Sequence, residues 1–196
     1  MTATWIVIAV VAALVVIGAV IAFNGLVRRR NRTREAWSQI EVELRRRHDL
    51  VPNLVQTVQG YAAHERGTFE AVTQARNAAV SARAAGDPAV VGAAENALTS
   101  TLRSLFAVAE GYPALRAAEN FIALQEQLTA TEDKLEYARR YYNTSARDYN
   151  SAIQSFPNLL LAKPFGFTEL DYFEAEPADQ AVPSVEFGTS NPRPMR

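Results

Sequence analysis

The 196-residue chain contains no cysteine. That absence excludes a structural disulfide, a thiolate metal site, a cysteine nucleophile and a lipid-modified N-terminal cysteine. It leaves the compartment open, because a helical domain of this size needs no disulfide in either redox environment. Histidine is nearly as scarce, with only His48 and His64. His64-Glu65 begins like a zincin motif, but Thr68 stands where the second histidine belongs, so two imidazoles on one helix face are missing. His48 and Asp49 are adjacent, and neighbouring helical residues point ~100° apart, so the two read as surface charges. Glycine-rich phosphate loops are absent, as are GxGxxG and GxSxG. These gaps predict no catalytic residue, no metal, no cofactor and no small-molecule substrate. A hydrolase built on His48, His64 and nearby carboxylates is the only enzymatic reading left, and the expectation is that the chain is not an enzyme.

Charge is absent altogether from Trp5 to Phe23, and five of the eleven residues from Asn24 to Arg34 are arginine. An apolar run of this length crosses the ~30 Å hydrocarbon core as a helix at ~1.5 Å per residue. A cleaved signal fits poorly. No Lys or Arg precedes Trp5, the run exceeds the usual apolar core of a signal, and Phe23, Asn24 and Leu26 crowd the cut region. The run is therefore expected to be a retained anchor, with Trp5 and the arginines 28, 29, 30, 32 and 34 (Arg28, Arg29, Arg30, Arg32, Arg34) at the membrane interfaces. The basic flank predicts a single-pass protein of the cell membrane, its body cytoplasmic and its N-terminus outside. The net charge of −1 conceals a polarity. Residues 28–47 carry a balance of +5, suited to anionic headgroups, whereas residues 169–196 carry −4. Arginines 45 to 47 point to successive sides of a helix with Glu41 and Glu43 one turn earlier, which predicts a solvated face partly paired with acids of a neighbouring helix, and no nucleic-acid contact.

The body reads as helix almost throughout. Alternate steps of three and four link Phe121, Leu124, Leu128, Thr131, Leu135, Ala138, Tyr142, Ser145, Tyr149, Ala152 and Phe156 without a slip. Ile122, Tyr141 and Ile153 widen this seam, favouring a multi-helix bundle over a two-stranded coiled coil. A second seam joins Trp37, Ile40, Leu44, Arg47, Val51, Leu54, Val58 and Tyr61, with Pro52 expected to kink the helix without ending it. Gly67 and Thr68 suggest a break and a cap, and Gly86-Asp87-Pro88 a stop followed by an N-cap and first turn. A third face carries Val91, Ala94, Leu98, Leu102, Leu105 and Val108. Tyr141, Tyr142, Asn143, Tyr149 and Asn150 repeat a Tyr-Asn pair two helical turns apart, which predicts an interhelical network of tyrosine hydroxyls and amides, with a partner-binding strip as the functional alternative. After Pro157 the apolar residues lose their period, and Pro164-Phe165-Gly166-Phe167 forbids a continuous helix.

The fold class expected is all-α: an N-terminal transmembrane helix followed by a long antiparallel up-and-down four-helix bundle. Residues 1–27 form the anchor and 28–157 the bundle, with helices at about 28–64, 68–84, 88–111 and 114–156. Residues 158–175 form an aromatic segment that either folds back as a clasp or docks another protein through Phe165, Phe167, Tyr172 and Phe173. The proline-rich residues 176–196 are expected to be a disordered tail.

Ala36-Trp37-Ser38-Gln39-Ile40 and Arg46-Arg47-His48-Asp49-Leu50-Val51-Pro52-Asn53-Leu54-Val55 resemble the signature of the bacterial LemA family. Phe23-Asn24-Gly25-Leu26-Val27 is similar to that family's tyrosine-asparagine entry motif, with Phe in place of Tyr. Ala93 to Leu98, Ala107 to Pro113, Asn120 to Gln125, Ala138 to Asn143 and Gly166-Phe167 continue the likeness in order, over roughly residues 23 to 174. The resemblance implies a single-span or lipid-anchored protein with an up-and-down bundle and no assigned catalytic residue. Lipid-anchored relatives carry a Cys that this chain lacks, so the apolar helix must serve as the anchor. Some relatives resemble parts of organelle-like membrane systems and others lie beside membrane proteases, which implies an accessory role. The partners expected are the lipid bilayer and either another membrane protein or a second copy. The function expected is a membrane-anchored, non-enzymatic scaffold or adaptor; the alternative is a self-assembling protein that shapes or organises the membrane.

Overall fold

A computed structural model describes residues 2–173, and among them the secondary structure is helix and turn alone. The tail expected at 176–196 and the last two residues of the aromatic segment lie outside the described residues. Helix α1, Thr2–Gln59, runs for 58 residues without interruption. Its first part stands clear of the body, with every large apolar side chain from Trp5 to Ile21 exposed, and it is long and apolar enough to cross a membrane. Beyond it a buried stripe begins at Leu26 and continues through Thr33, Ala36, Ile40, Leu44, Arg47, Val51, Leu54 and Val58.

Pro52 sits inside α1 and the helix continues through it. Proline lacks the N–H that would bond the carbonyl four residues back, which is that of His48. That carbonyl instead accepts from Arg76 Nε at 3.3 Å, on the next helix. A helix defect is thus repaired by a tertiary contact. Arg76→Ala is expected to cost about 1–2 kcal/mol, as a charged donor to a buried carbonyl should. In a Pro52→Ala background the loss should shrink, because the carbonyl regains a helical partner. A double-mutant cycle by denaturant unfolding checks this, and strict additivity of the two changes would refute it.

α1 ends at Gln59, five residues before the expected 64, because Gly60 and Tyr61 turn the chain and bury Ala62, whose N–H bonds the Val58 carbonyl. Helix α2, Arg66–Ala85, accordingly starts before Gly67, and Thr68 lies in its first turn and not at its cap. Gly86 closes α2 with φ 78°, its N–H reaching the Ala82 and Arg83 carbonyls. Asp87 then caps α3, Pro88–Glu110, its carboxylate accepting from the Ala89 and Val90 amides. This turn is as expected.

The fourth helix does not start at 114. A short turn, α4 (Pro113–Arg116), precedes α5, Glu119–Gln154, and Ala118 between them is extended. In one continuous helix Leu115 and Phe121 would point ~120° apart, and the break buries both. α5 stops at Gln154, so Phe156, expected on the seam, is exposed. The residue before a proline is pushed out of helical conformation, and Phe156 precedes Pro157.

α1 and α5 run antiparallel, as Trp37 against Tyr142 and Arg47 against Glu132 establish. The α2–α3 hairpin covers one half of this pair, burying Phe69, Val72, Leu98, Leu102 and Leu105 against Val51, Leu54, Val58 and Phe121. Helices of 20 and 23 residues reach ~30–35 Å, whereas the 36 residues of α5 reach ~54 Å. The half nearest the apolar run is left without a helical cover. Residues 158–173, including the single turn α6 (Leu159–Ala162), fold back over it.

Candidate functional site

Two turns of α5 and four residues of extended chain share a length. Asn143 and Asn150 are seven residues apart, ~10.5 Å along a helix, and Leu170 to Phe173 is three steps, ~10 Å along an extended chain. Each asparagine therefore meets the main-chain N–H and C=O of one residue of the returning segment. Asn150 Nδ2 donates to the Leu170 carbonyl and Asn150 Oδ1 accepts from the Leu170 N–H, both at 2.9 Å. Asn143 repeats the pattern on Phe173, with both bonds again at 2.9 Å. Between them Tyr142 donates its hydroxyl to the Asp171 carbonyl at 2.7 Å. Side-chain amides here do what a neighbouring strand does in a sheet. The repeated Tyr-Asn pairs are thus polar partners as expected, but the amides chiefly hold main chain, and the tyrosine hydroxyl that Asn150 Nδ2 reaches, at 3.5 Å, is that of Tyr172 and not of the repeat.

Phe173 anchors this clasp. It is fully buried beside Trp37 and Tyr142, and the Arg139 guanidinium lies 4.7 Å from its ring centre. Phe167 is buried against Leu26, Tyr149 and Ile153, with Arg30 5.0 Å above its ring. Neither ring is available to a partner while the clasp is closed, so Phe167 and Phe173 follow the clasp reading of this segment and not the docking one. Phe165 and Tyr172 do remain exposed. Burial, helped by Asp171 and Asp87, pushes the Tyr142 hydroxyl up from its usual 10.0 to about 12. Burial also raises Tyr149, against the pull of Arg30 and Arg34.

The expected membrane-interface residues divide in the same way. Trp5, Arg28, Arg29, Arg32 and Arg34 are exposed, and Arg30 is half-buried on Phe167. Arg32 Nε donates to the Tyr141 hydroxyl at 3.0 Å, and this bond raises the guanidinium pKa further. Arg45 and Arg46 are exposed, as a solvated face requires.

Arg47 and His48 are buried, and His48 is not the surface charge expected of it. Both turn to Glu95 of α3, itself fully buried: Arg47 Nη1 at 3.1 Å from Oε2 and His48 Nε2 at 2.6 Å from Oε1. A carboxylate accepting from Arg47 can only accept from histidine too, so Nε2 carries the proton at this contact. Arg47 Nη2 adds Thr99 Oγ1 at 2.7 Å and Glu132 at 3.3 Å, tying α1, α3 and α5 together. Asp49 is exposed and takes no part. His64 is also exposed, and among the described residues no group of three His, Cys, Asp or Glu side chains is placed to hold a metal.

On the opposite side α1 and α5 leave an open groove of ≈ 720 Å³ lined by Glu35, Val42, Glu43, Asp133, Lys134 and Tyr137. Tyr137 is 71 % and Val42 63 % exposed.

An all-α bundle continuous with a helix suited to a bilayer, and closed by its own C-terminal segment, is the class these features define. The profile of the LemA family matches residues 36–187, and the chain belongs to that family. It is 28 % identical to the magnetosome protein MamQ of Magnetospirillum gryphiswaldense, over 72 % of this chain and 60 % of the relative. It is 27 % identical to magnetosome protein MamQ 2 of Paramagnetospirillum magneticum, over 80 % and 66 % of the two chains. Protein LemA of Metamycoplasma hominis is 24 % identical, over 78 % of this chain and 68 % of that one. The match thus spans less than two thirds of the length of either magnetosome relative.

Proposed function

We propose that this LemA-type chain is a single-pass, membrane-anchored, non-enzymatic adaptor. Its helical body lies on the cytoplasmic side, its N-terminus lies outside, and it docks another membrane protein. The observation that carries the reading is the open α1–α5 groove, where Val42 and Tyr137 form an exposed apolar strip. Glu35, Glu43 and Asp133 outnumber Lys134 around it, so the partner that fits presents apolar side chains bordered by basic ones. Because α1 is one helix from the apolar run into this groove, the strip is held at a fixed height above the bilayer.

A photo-reactive residue at exposed Ser38, activated in native membranes, tests the proposal. A single foreign cross-linked band, abolished by Tyr137→Asp, is the expected outcome. A ladder of like-with-like products would favour self-assembly in its place, and no product above background would remove the groove as a docking face.

A further inference from the structure

Ten large apolar residues outside the apolar run are exposed among the described residues, and four of them fall between 156 and 165. Phe156 is 80 % exposed, Leu160 64 % and Phe165 58 %, with Leu159 beside them. Clustering of this kind marks a surface with a partner. We infer that the loop from Phe156 to Phe165 inserts into the membrane interface beside α1 and forms a second contact with lipid. This rests on the anchoring proposed above.

The fold puts the loop at the right height. α5 runs antiparallel to α1, so its C-terminal end returns to the level where the apolar run ends. Phe165 packs edge-on against Phe23, the last residue of that run, with ring centres 5.2 Å apart. The exposed Arg28 and Arg29 follow within two turns and mark the headgroup layer. The loop is also fixed in orientation, because Ala162 and Phe167 are buried against Leu26, Tyr149, Ala152 and Ile153 while the four apolar residues stay outside.

Chemistry favours lipid over protein as the occupant. Residues 155–168 contain no acid and one base, Lys163, a composition that meets anionic headgroups without repulsion. A protein partner would need an apolar surface at the same depth, where acyl chains already abut Phe23.

The lack of cysteine makes the test direct, since single labels need no background substitutions. Full-length Phe156→Cys and Leu160→Cys, spin-labelled in nanodiscs of phosphatidylethanolamine and phosphatidylglycerol, are compared with Val15→Cys in the apolar run and Tyr137→Cys in the groove. Collision with oxygen reports lipid, and collision with a water-soluble nickel chelate reports solvent. The expected result is an oxygen-to-nickel ratio at 156 and 160 that exceeds position 137 and lies below that of position 15, which sits near the middle of the run. Ratios at 156 and 160 equal to that at 137, with position 15 in lipid, overturn the loop insertion alone. A solvent-like ratio at position 15 overturns the anchoring and the insertion together. Label-to-label broadening without an oxygen preference assigns the loop to a second copy and overturns it as well.

Discussion

Glu95→Ala should lower the unfolding free energy by about 3–5 kcal/mol, the cost of leaving buried charge without its counter-ion. Glu95 is the shared acceptor of Arg47 and His48, and its loss strips His48 Nε2 of its partner while Arg47 retains only Thr99 and the half-exposed Glu132. Chemical denaturation in detergent, followed by circular dichroism, measures the effect. The comparison that interprets it is a triple replacement, Arg47→Met with His48→Leu and Glu95→Leu. Removing all three polar groups at once leaves none of them stranded, so this variant should be near neutral or more stable. A loss below about 1 kcal/mol for Glu95→Ala would mean that water reaches the cluster and that its burial is not what the packing implies.

Phe173→Ala is expected to cost about 3–5 kcal/mol, the usual range for a fully buried phenylalanine, but the cost should fall on one part of the molecule. Among the described residues Phe173 is the only fully buried side chain of the extended segment, and the rest of its described part is held by hydrogen bonds from α5. Losing the ring should open the clasp while the α2–α3 half stays folded. Hydrogen exchange should show the amides of Leu170 and Phe173 losing protection and those of α3 keeping it. Replacing Asn143 and Asn150 together by alanine should release the same residues, since each removes two bonds to main chain. Equal loss of protection in α3 would show that clasp and hairpin unfold as one unit.

The seams of the long helices were legible because burial repeats along them with the helical period. Every seam residue from Phe121 to Ala152 is buried or half-buried, and Gly86-Asp87-Pro88 forms the turn its side chains dictate. The fracture at Ala118 was not legible, because it arises from the need to bury both Leu115 and Phe121, a demand set by other helices. Arg47 carried a signal, a charge on an apolar seam, and its pairing with acids of neighbouring helices was expected, whereas its burial was not. Glu95 gave less, being one step from the apolar face of its own helix. The asparagines at 143 and 150 were conspicuous for their spacing, yet nothing local tells an amide whether it will meet a hydroxyl or a passing backbone. The matching lengths of two helical turns and three extended residues become visible only when both segments are in place.

α1 has no joint between its apolar run and the body. About 36 residues follow Phe23 within that helix, so with the apolar run seated in a bilayer, as proposed, its far end would stand roughly 55 Å from the bilayer edge. A stiff rod seated in lipid acts as a lever. Where a bilayer thins or thickens, a span adjusts by tilting, and each ~10° of tilt would carry that far end through ~10 Å. The thickness of the membrane would thereby set where the bundle points.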